Sequence, residues 1–159
     1  MDVNTQTIER FYSAFARLDD ATMKSCYAAD IVFYDPAFEL LRNDEPGFMW
    51  QMLCRSAQDF HLTFQTPVQL DESYYTCEWT ATYTFSATGR KVVNRVKAHM
   101  KMQDGVILEH SDAFSLHQWS TQALGFTGWL FGWNSFFQRR IKNKARRKLY
   151  QYILQQRGN

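Results

Sequence analysis

Three long strand-like segments, near residues 74–86, 91–103 and 106–116, fill most of the middle of this chain and are separated by very short turn signals. Each is rich in β-branched or aromatic residues, and Thr88-Gly89 and Gln103-Asp104-Gly105 stand between them. A short hairpin turn needs positive φ, which Gly and an Asp before Gly accept, so the three segments are expected to pair as an antiparallel meander. A strand near 59–69 precedes them, and Ile31-Val32-Phe33-Tyr34 marks an earlier one at 30–35.

Helical periodicity lies on either side of these strands. Ile8, Phe11, Tyr12, Phe15 and Leu18 recur at three- and four-residue steps, which predicts a helix over roughly 6–18 capped by Asn4 or Thr5. Asp19 or Asp20 caps a second, short helix with Met23, Cys26 and Tyr27 facing inward. A third begins at Asn43 or Asp44 and tolerates Pro46 in its first turn. It buries Phe48, Met49, Met52 and Leu53, with Trp50 at the flank. Helix, helix, strand, helix and then a meander is an α+β order, predicting a cone-shaped, curved antiparallel sheet covered by N-terminal helices. The boundaries read as a domain over 1–117 and an extension over 118–159, made of an aromatic loop and a basic amphipathic helix.

A chain of 159 residues can bury one sizeable core. Thirteen Phe, eight Tyr and five Trp exceed what a minimal core needs, which fits a lined cavity or a buried interface. Cys26, Cys54 and Cys77 are odd in number and widely spaced, arguing against a disulfide framework and for a reducing, cytoplasmic setting. His61, His99 and His117 show no metal-ligand spacing. No secretory signal and no apolar run of membrane-spanning length is visible. Neither a metal nor a cofactor is expected.

The candidate chemistry lies at two places. In Tyr27-Ala28-Ala29-Asp30-Ile31-Val32-Phe33-Tyr34-Asp35-Pro36, an apolar strand ends on a carboxylate, which must be solvated, paired or used. In Leu108-Glu109-His110-Ser111-Asp112-Ala113-Phe114, alternation puts Leu108, His110, Asp112 and Phe114 on one strand face. His110 and Asp112 are then about 7 Å apart at Cα, close enough to share a water or a substrate. Asn94 is the nearest amide on the neighbouring strand.

These residues carry a resemblance. Ile8-Glu9-Arg10-Phe11-Tyr12 through Asp35-Pro36, together with Asp104-Gly105-x-Ile107-x-Glu109-His110-x-Asp112, resembles the nuclear transport factor 2 superfamily. The similarity is greatest to its polyketide-cyclase-like and ketosteroid-isomerase-like branch. That likeness covers roughly residues 5–117 and implies a cystatin-like α+β barrel, a homodimer, and a cavity for an apolar small molecule. It places Asp35 where the isomerases keep their catalytic base. Their buried acidic donor falls near Ala98, which cannot donate, and their tyrosine near Phe11 or Tyr12, so steroid isomerisation is not expected.

The resulting expectation is a small-molecule pocket protein of the isomerase, cyclase or hydrolase type, acting on an apolar carbonyl or epoxide compound. Asp35, His110 and Asp112 are its catalytic candidates, and Tyr12, Phe15, Trp50, Asn94 and Phe114 its substrate-binding ones. A structural reading stands beside it: Asp35 accepts backbone hydrogen bonds in the turn, and His110 with Asp112 satisfies polar groups in the core. On that reading the same fold serves as a non-catalytic binding or interaction module.

The charge distribution is sharply uneven. Residues 1–138 hold all sixteen acids and ten bases, net −6, whereas 139–157 holds eight bases and no acid. Phe137, Ile141, Ala145, Leu149 and Tyr152-Ile153 give that segment one apolar stripe, with Trp129, Leu130, Phe131 and Trp133 just before it. Packing of this helix on the acidic body is the favoured reading, and a membrane surface is the alternative. Nucleic acid is not expected, since no stacking platform accompanies the charges.

Overall fold

The computed structural model describes residues 1–159. Helix α1 (Val3–Ala16) starts earlier than Asn4 or Thr5 as cap would allow. Asp2 is the cap, accepting the Thr5 N–H at 3.0 Å and the Thr5 hydroxyl at 2.6 Å. Asn4 is thereby released to accept the Gly105 N–H at 2.8 Å, and Thr7 donates to the Gly105 carbonyl. Both bonds hold α1 against the last hairpin turn, where Asp104 and Gly105 adopt φ of 50° and 78°.

Helix α2 (Asp20–Ser25) is capped by Asp19. Strand β1 (Tyr27–Asp35) follows directly, so Tyr27 opens the strand rather than closing the helix. A short β2 (Glu39–Arg42) then returns along β1 before α3 (Glu45–Ser56), in which Met49, Trp50 and Met52 are buried. Trp50 is therefore core, while Phe48 and Leu53 are only partly buried. The remaining strands are β3 (His61–Phe64), β4 (Val68–Gln69), β5 (Tyr74–Phe85), β6 (Arg90–Gln103) and β7 (Val106–Ala113).

These strands form one seven-stranded sheet in the order β2-β1-β7-β6-β5-β3, with β4 also on β5. The meander β5-β6-β7 is antiparallel as expected, but β1 lies parallel to β7, so the sheet is mixed and unclosed. A register shift between Lys101 and Met102 pairs Met102 with Ile107 and Lys101 with Glu109, leaving Leu108 as the extra residue of a bulge. The inward set of β7 is consequently Ile107, His110 and Asp112, not Leu108, His110 and Asp112. Ile8, Phe11, Tyr12 and Phe15 of α1 fill the concave side against Phe33, Trp50, Trp79 and Met100.

The segment read as an aromatic loop folds as two short helices, α4 (Leu116–Leu124) and α5 (Phe126–Phe131). Helix α6 (Ser135–Arg157) is the basic helix, and its C-terminal half packs on α3 through buried Leu149 and Ile153. Tyr152 donates to Gln51 Oε1 at 2.9 Å, and Arg157 and Arg139 pair with Asp44 and Glu39 of the acidic body. Packing on the body, the favoured reading, thus describes the C-terminal half of the helix, and Arg139 near its start is tied to the body as well. Leu149 is 1% exposed, so Leu149→Ala should cost about 2–5 kcal/mol by leaving a cavity between α6 and α3. A lowered urea midpoint measures it, whereas an unchanged midpoint would show that α6 adds nothing to the folded body. No helix is long and apolar enough to cross a membrane.

Candidate active site

The chain leaves β1 at Asp35-Pro36, and the carboxylate closes the turn. Asp35 Oδ1 accepts the N–H groups of Ala37 (2.9 Å) and Phe38 (2.6 Å), the first donors available after a proline that has none. Oδ2 receives no hydrogen bond. The residue is 8% exposed with no cation paired to it. Burial therefore dominates and pushes the carboxyl up to about 7; the Phe38 N–H opposes the rise, the Asp112 charge adds to it, and the Ala37 N–H and His110 oppose it. Asp35 thus terminates the strand as the structural reading expected, and burial brings its carboxyl up toward neutrality.

Strand register brings the other candidates to it. Phe33 pairs with His110 and Tyr34 with Ser111, so one further parallel step sets Asp35 beside Asp112. His110 Nε2 and Asp112 Oδ1 are 2.9 Å apart, a direct bond instead of the shared water or substrate that the Cα spacing allowed. On the other side of the ring, Nδ1 lies 2.7 Å from the Tyr27 hydroxyl, which accepts the Trp50 indole N–H at 2.8 Å. A carboxylate only accepts, so the Nε2 proton is aimed at Asp112, and the Tyr27 hydroxyl, able both to donate and to accept, satisfies Nδ1. Trp79 donates to the same Asp112 oxygen at 3.3 Å.

Tyr12 is fully buried, and its hydroxyl makes no hydrogen bond of ordinary geometry, although the Trp79 indole lies near enough to favour its charged form slightly. Burial, then the Asp112 charge, raises this phenol well above its ordinary value, so it stays a neutral O–H donor. Its ring lies 5.6 Å from that of Phe64 and 6.0 Å from that of Trp79. A buried hydroxyl without a partner is rare enough to require a reason, and a ligand oxygen is one.

Tyr12, Phe15, Trp50, Asp35, His110 and Asp112 thus all face the concave side. Asn94 does not join them: Ala98 is the residue opposite Asp112, and Asn94 is four residues further along β6, about 13 Å away. Phe114 lies just past β7, half-buried at the edge of the core. The cup is filled by rings, Phe15 packing on Trp50 at 4.9 Å, on Phe60 at 5.1 Å and on Trp79 at 5.5 Å. Two open depressions, of about 500 and 220 Å³, lie elsewhere on the sheet, and of the predicted residues only His110 borders one.

Tyr27 and Trp79 were not among the predicted site residues. A buried histidine needs a partner on each ring nitrogen, and that requirement points to a second polar side chain such as Tyr27. Trp79 was readable from the alternation of Tyr75, Cys77, Trp79 and Ala81, all buried on β5.

Solved structures share this architecture. IdmH from Streptomyces antibioticus, a putative polyketide cyclase, is 23% identical, with a TM-score of 0.61 over 79% of this chain and 98% of its own. An M. tuberculosis LEH-like epoxide hydrolase is 17% identical, with a TM-score of 0.64 over 81% and 93%. A Catenulispora acidiphila protein of ketosteroid isomerase-like fold, in complex with trimethylamine, is 13% identical, with a TM-score of 0.65 over 74% and 91%. At these identities the likeness establishes the fold. No curated protein matches the sequence. The model of the SnoaL-like domain matches residues 8–110, the span from Ile8 of α1 to His110 of β7, and this chain belongs to that family.

Proposed function

We propose that the protein takes an apolar small molecule into the cup and moves a proton on it by acid–base chemistry without a cofactor. The observation that carries this reading is the carboxyl of Asp35, held near 7 with Oδ2 free, in electrostatic range of Asp112, which in turn acts on the unpartnered hydroxyl of Tyr12. Asp35 as carboxylate removes a proton alpha to a carbonyl, and Tyr12 donates a hydrogen bond to the oxygen as charge builds on it. The protonated Asp35 returns the proton at the product carbon. His110 holds Asp112 in place, and Tyr27 holds His110. The same carboxyl could activate a water for epoxide opening, and similar folds described as a putative polyketide cyclase and an LEH-like epoxide hydrolase support that range of reactions. Entry requires the half-buried rings at the rim, Phe60 and Phe64 among them, to move aside.

Deuterium exchange into a panel of apolar ketones tests the reading, with ring-opening of apolar epoxides run in parallel. Asp35→Asn should lower turnover at least a thousandfold while substrate still binds, and Tyr12→Phe should lower it about a hundredfold. Full turnover by Asp35→Asn sinks the proposal. The ring-filled cup and the Asp35 turn favour a second reading, a binding module, and ligand binding with no turnover by the wild-type protein would select it.

A further inference from the structure

The surface carries a second feature that the cup does not use. Phe126, Trp129, Trp133 and Phe136 are 72, 59, 68 and 72% exposed, and Leu130 and Phe131 between them are exposed as well. Isolated exposed rings are ordinary, but six large apolar residues within eleven positions form a patch that requires an explanation. The arm cannot turn them inward. α5 docks on α4 by its glycine side: a Cβ on Gly128 would overlap the Ser120 carbonyl, and one on Gly132 would overlap the Ser120 hydroxyl. The small residues thus occupy the contact with α4, and the large ones are forced outward.

Basic residues continue this patch onto α6. Leu149 and Ile153 face the body, and at 100° per residue Phe136, Arg140, Lys144 and Arg147 fall within about 80° of arc on the opposite side. Arg139 and Arg157 are paired with Glu39 and Asp44, whereas Arg140, Lys144, Arg147 and Lys148 have no carboxylate within ion-pair distance. The ring contact between Phe131 and Phe137, at 6.1 Å, ties the arm to the first turn of the helix.

We infer that the α5–α6 arm docks on an anionic membrane surface, its rings entering the headgroup layer and the free cations of α6 facing the lipid phosphates. Rings at the interfacial depth, beside arginine and lysine on an otherwise acid-free helix, are the combination an interfacial anchor uses. A second copy of the chain fits less well, because a two-fold pairing would set these cations against one another. Nucleic acid would meet the cations but leave the apolar arm exposed. The inference is independent of the chemistry in the cup, and it locates a protein with no spanning helix at the surface where apolar substrates dissolve.

Sedimentation of the full chain with vesicles of phosphatidylcholine, alone or mixed with phosphatidylglycerol, tests it at low salt. The protein should pellet with the mixed vesicles only, and brominated acyl chains should quench its tryptophan emission. Arg140→Gln with Lys144→Gln and Arg147→Gln should weaken vesicle binding on the order of a hundredfold. Trp129→Ser with Trp133→Ser should remove the quenching. These positions are exposed, so circular dichroism should match wild type, and the quenching of the wild-type protein stands even if a variant misfolds. Equal pelleting with neutral vesicles, or no pelleting at all, overturns the inference. So does a dimer that Trp129→Ser with Trp133→Ser dissociates, or oligonucleotide binding without vesicle binding.

Discussion

The melting temperature of the wild-type protein should fall as pH rises from about 4 to about 7, and Asp35→Asn should remove most of that slope. The cause is the same buried carboxyl that the proposed chemistry uses. Its value rises from 3.8 unfolded to about 7 folded, so between those limits the folded chain holds a proton that the unfolded chain releases. The contribution is fully present below pH 3.8 and is lost as pH passes through the folded value. A shift of this size corresponds to about 4 kcal/mol, which for a chain of this length moves the midpoint on the order of 10 °C. Carboxyls whose values are lowered, such as Glu39 and Asp19, act with the opposite sign and only at more acid pH. Asn at position 35 keeps an oxygen for the Ala37 and Phe38 N–H groups, so its offset should be nearly constant with pH. Asp112→Asn removes a like charge and should move the wild-type transition to lower pH. Differential scanning calorimetry from pH 4 to 8 measures all three proteins. A wild-type curve that is flat across this range would mean that Asp35 is solvated, and the acid–base reading would lose its support.

The same residues show which features sequence can carry. Local chemistry was legible: the Asp104-Gly105 turn needs positive φ, α1 announces its buried face by spacing, and Asp35 before Pro36 ends a strand. Long-range geometry was not. The pairing of β2 with β1 depends on a turn in which Glu39 takes φ of 58°, an unusual conformation for glutamate that no spacing announces. The bulge at Leu108 exchanges one inward residue for its neighbour, an event set by pairing with β6. Parallel pairing of β1 with β7 joins residues more than seventy positions apart and brings Asp35 beside Asp112, which the sequence places only in a common cup. The helices α4 and α5 follow from Gly128 and Gly132 meeting Ser120, a close approach that exists only in three dimensions. For the site, the sequence placed Asp35, His110 and Asp112 in one cup, while the direct bond between His110 and Asp112, and the part of Tyr27 beside it, required the fold.

Replacing His110 by Phe should destabilise the protein by about 3–5 kcal/mol, although a ring of similar size fills its place. The loss comes from what the imidazole leaves behind. Asp112, 3% exposed, would keep only the Trp79 N–H at 3.3 Å, and the Tyr27 hydroxyl would lose its imidazole partner. An unpaired carboxylate in the core is the larger of these costs, and neutralising it should recover much of the loss. The double variant His110→Phe with Asp112→Asn is therefore expected to be at least about 2 kcal/mol more stable than His110→Phe alone. Asp112→Asn by itself should cost little, because its amide oxygen still accepts from His110 Nε2 and Trp79 Nε1. Urea titrations of the four proteins close the cycle. Strictly additive costs would mean that His110 and Asp112 do not act as a unit, and the positioning of Asp112 through Tyr27 and His110 would fail with them. Strong coupling would instead identify His110 and Asp112 as one polar unit. Such a pair keeps the Asp112 charge in range of both Asp35 and Tyr12, where it adds to the burial that raises both groups.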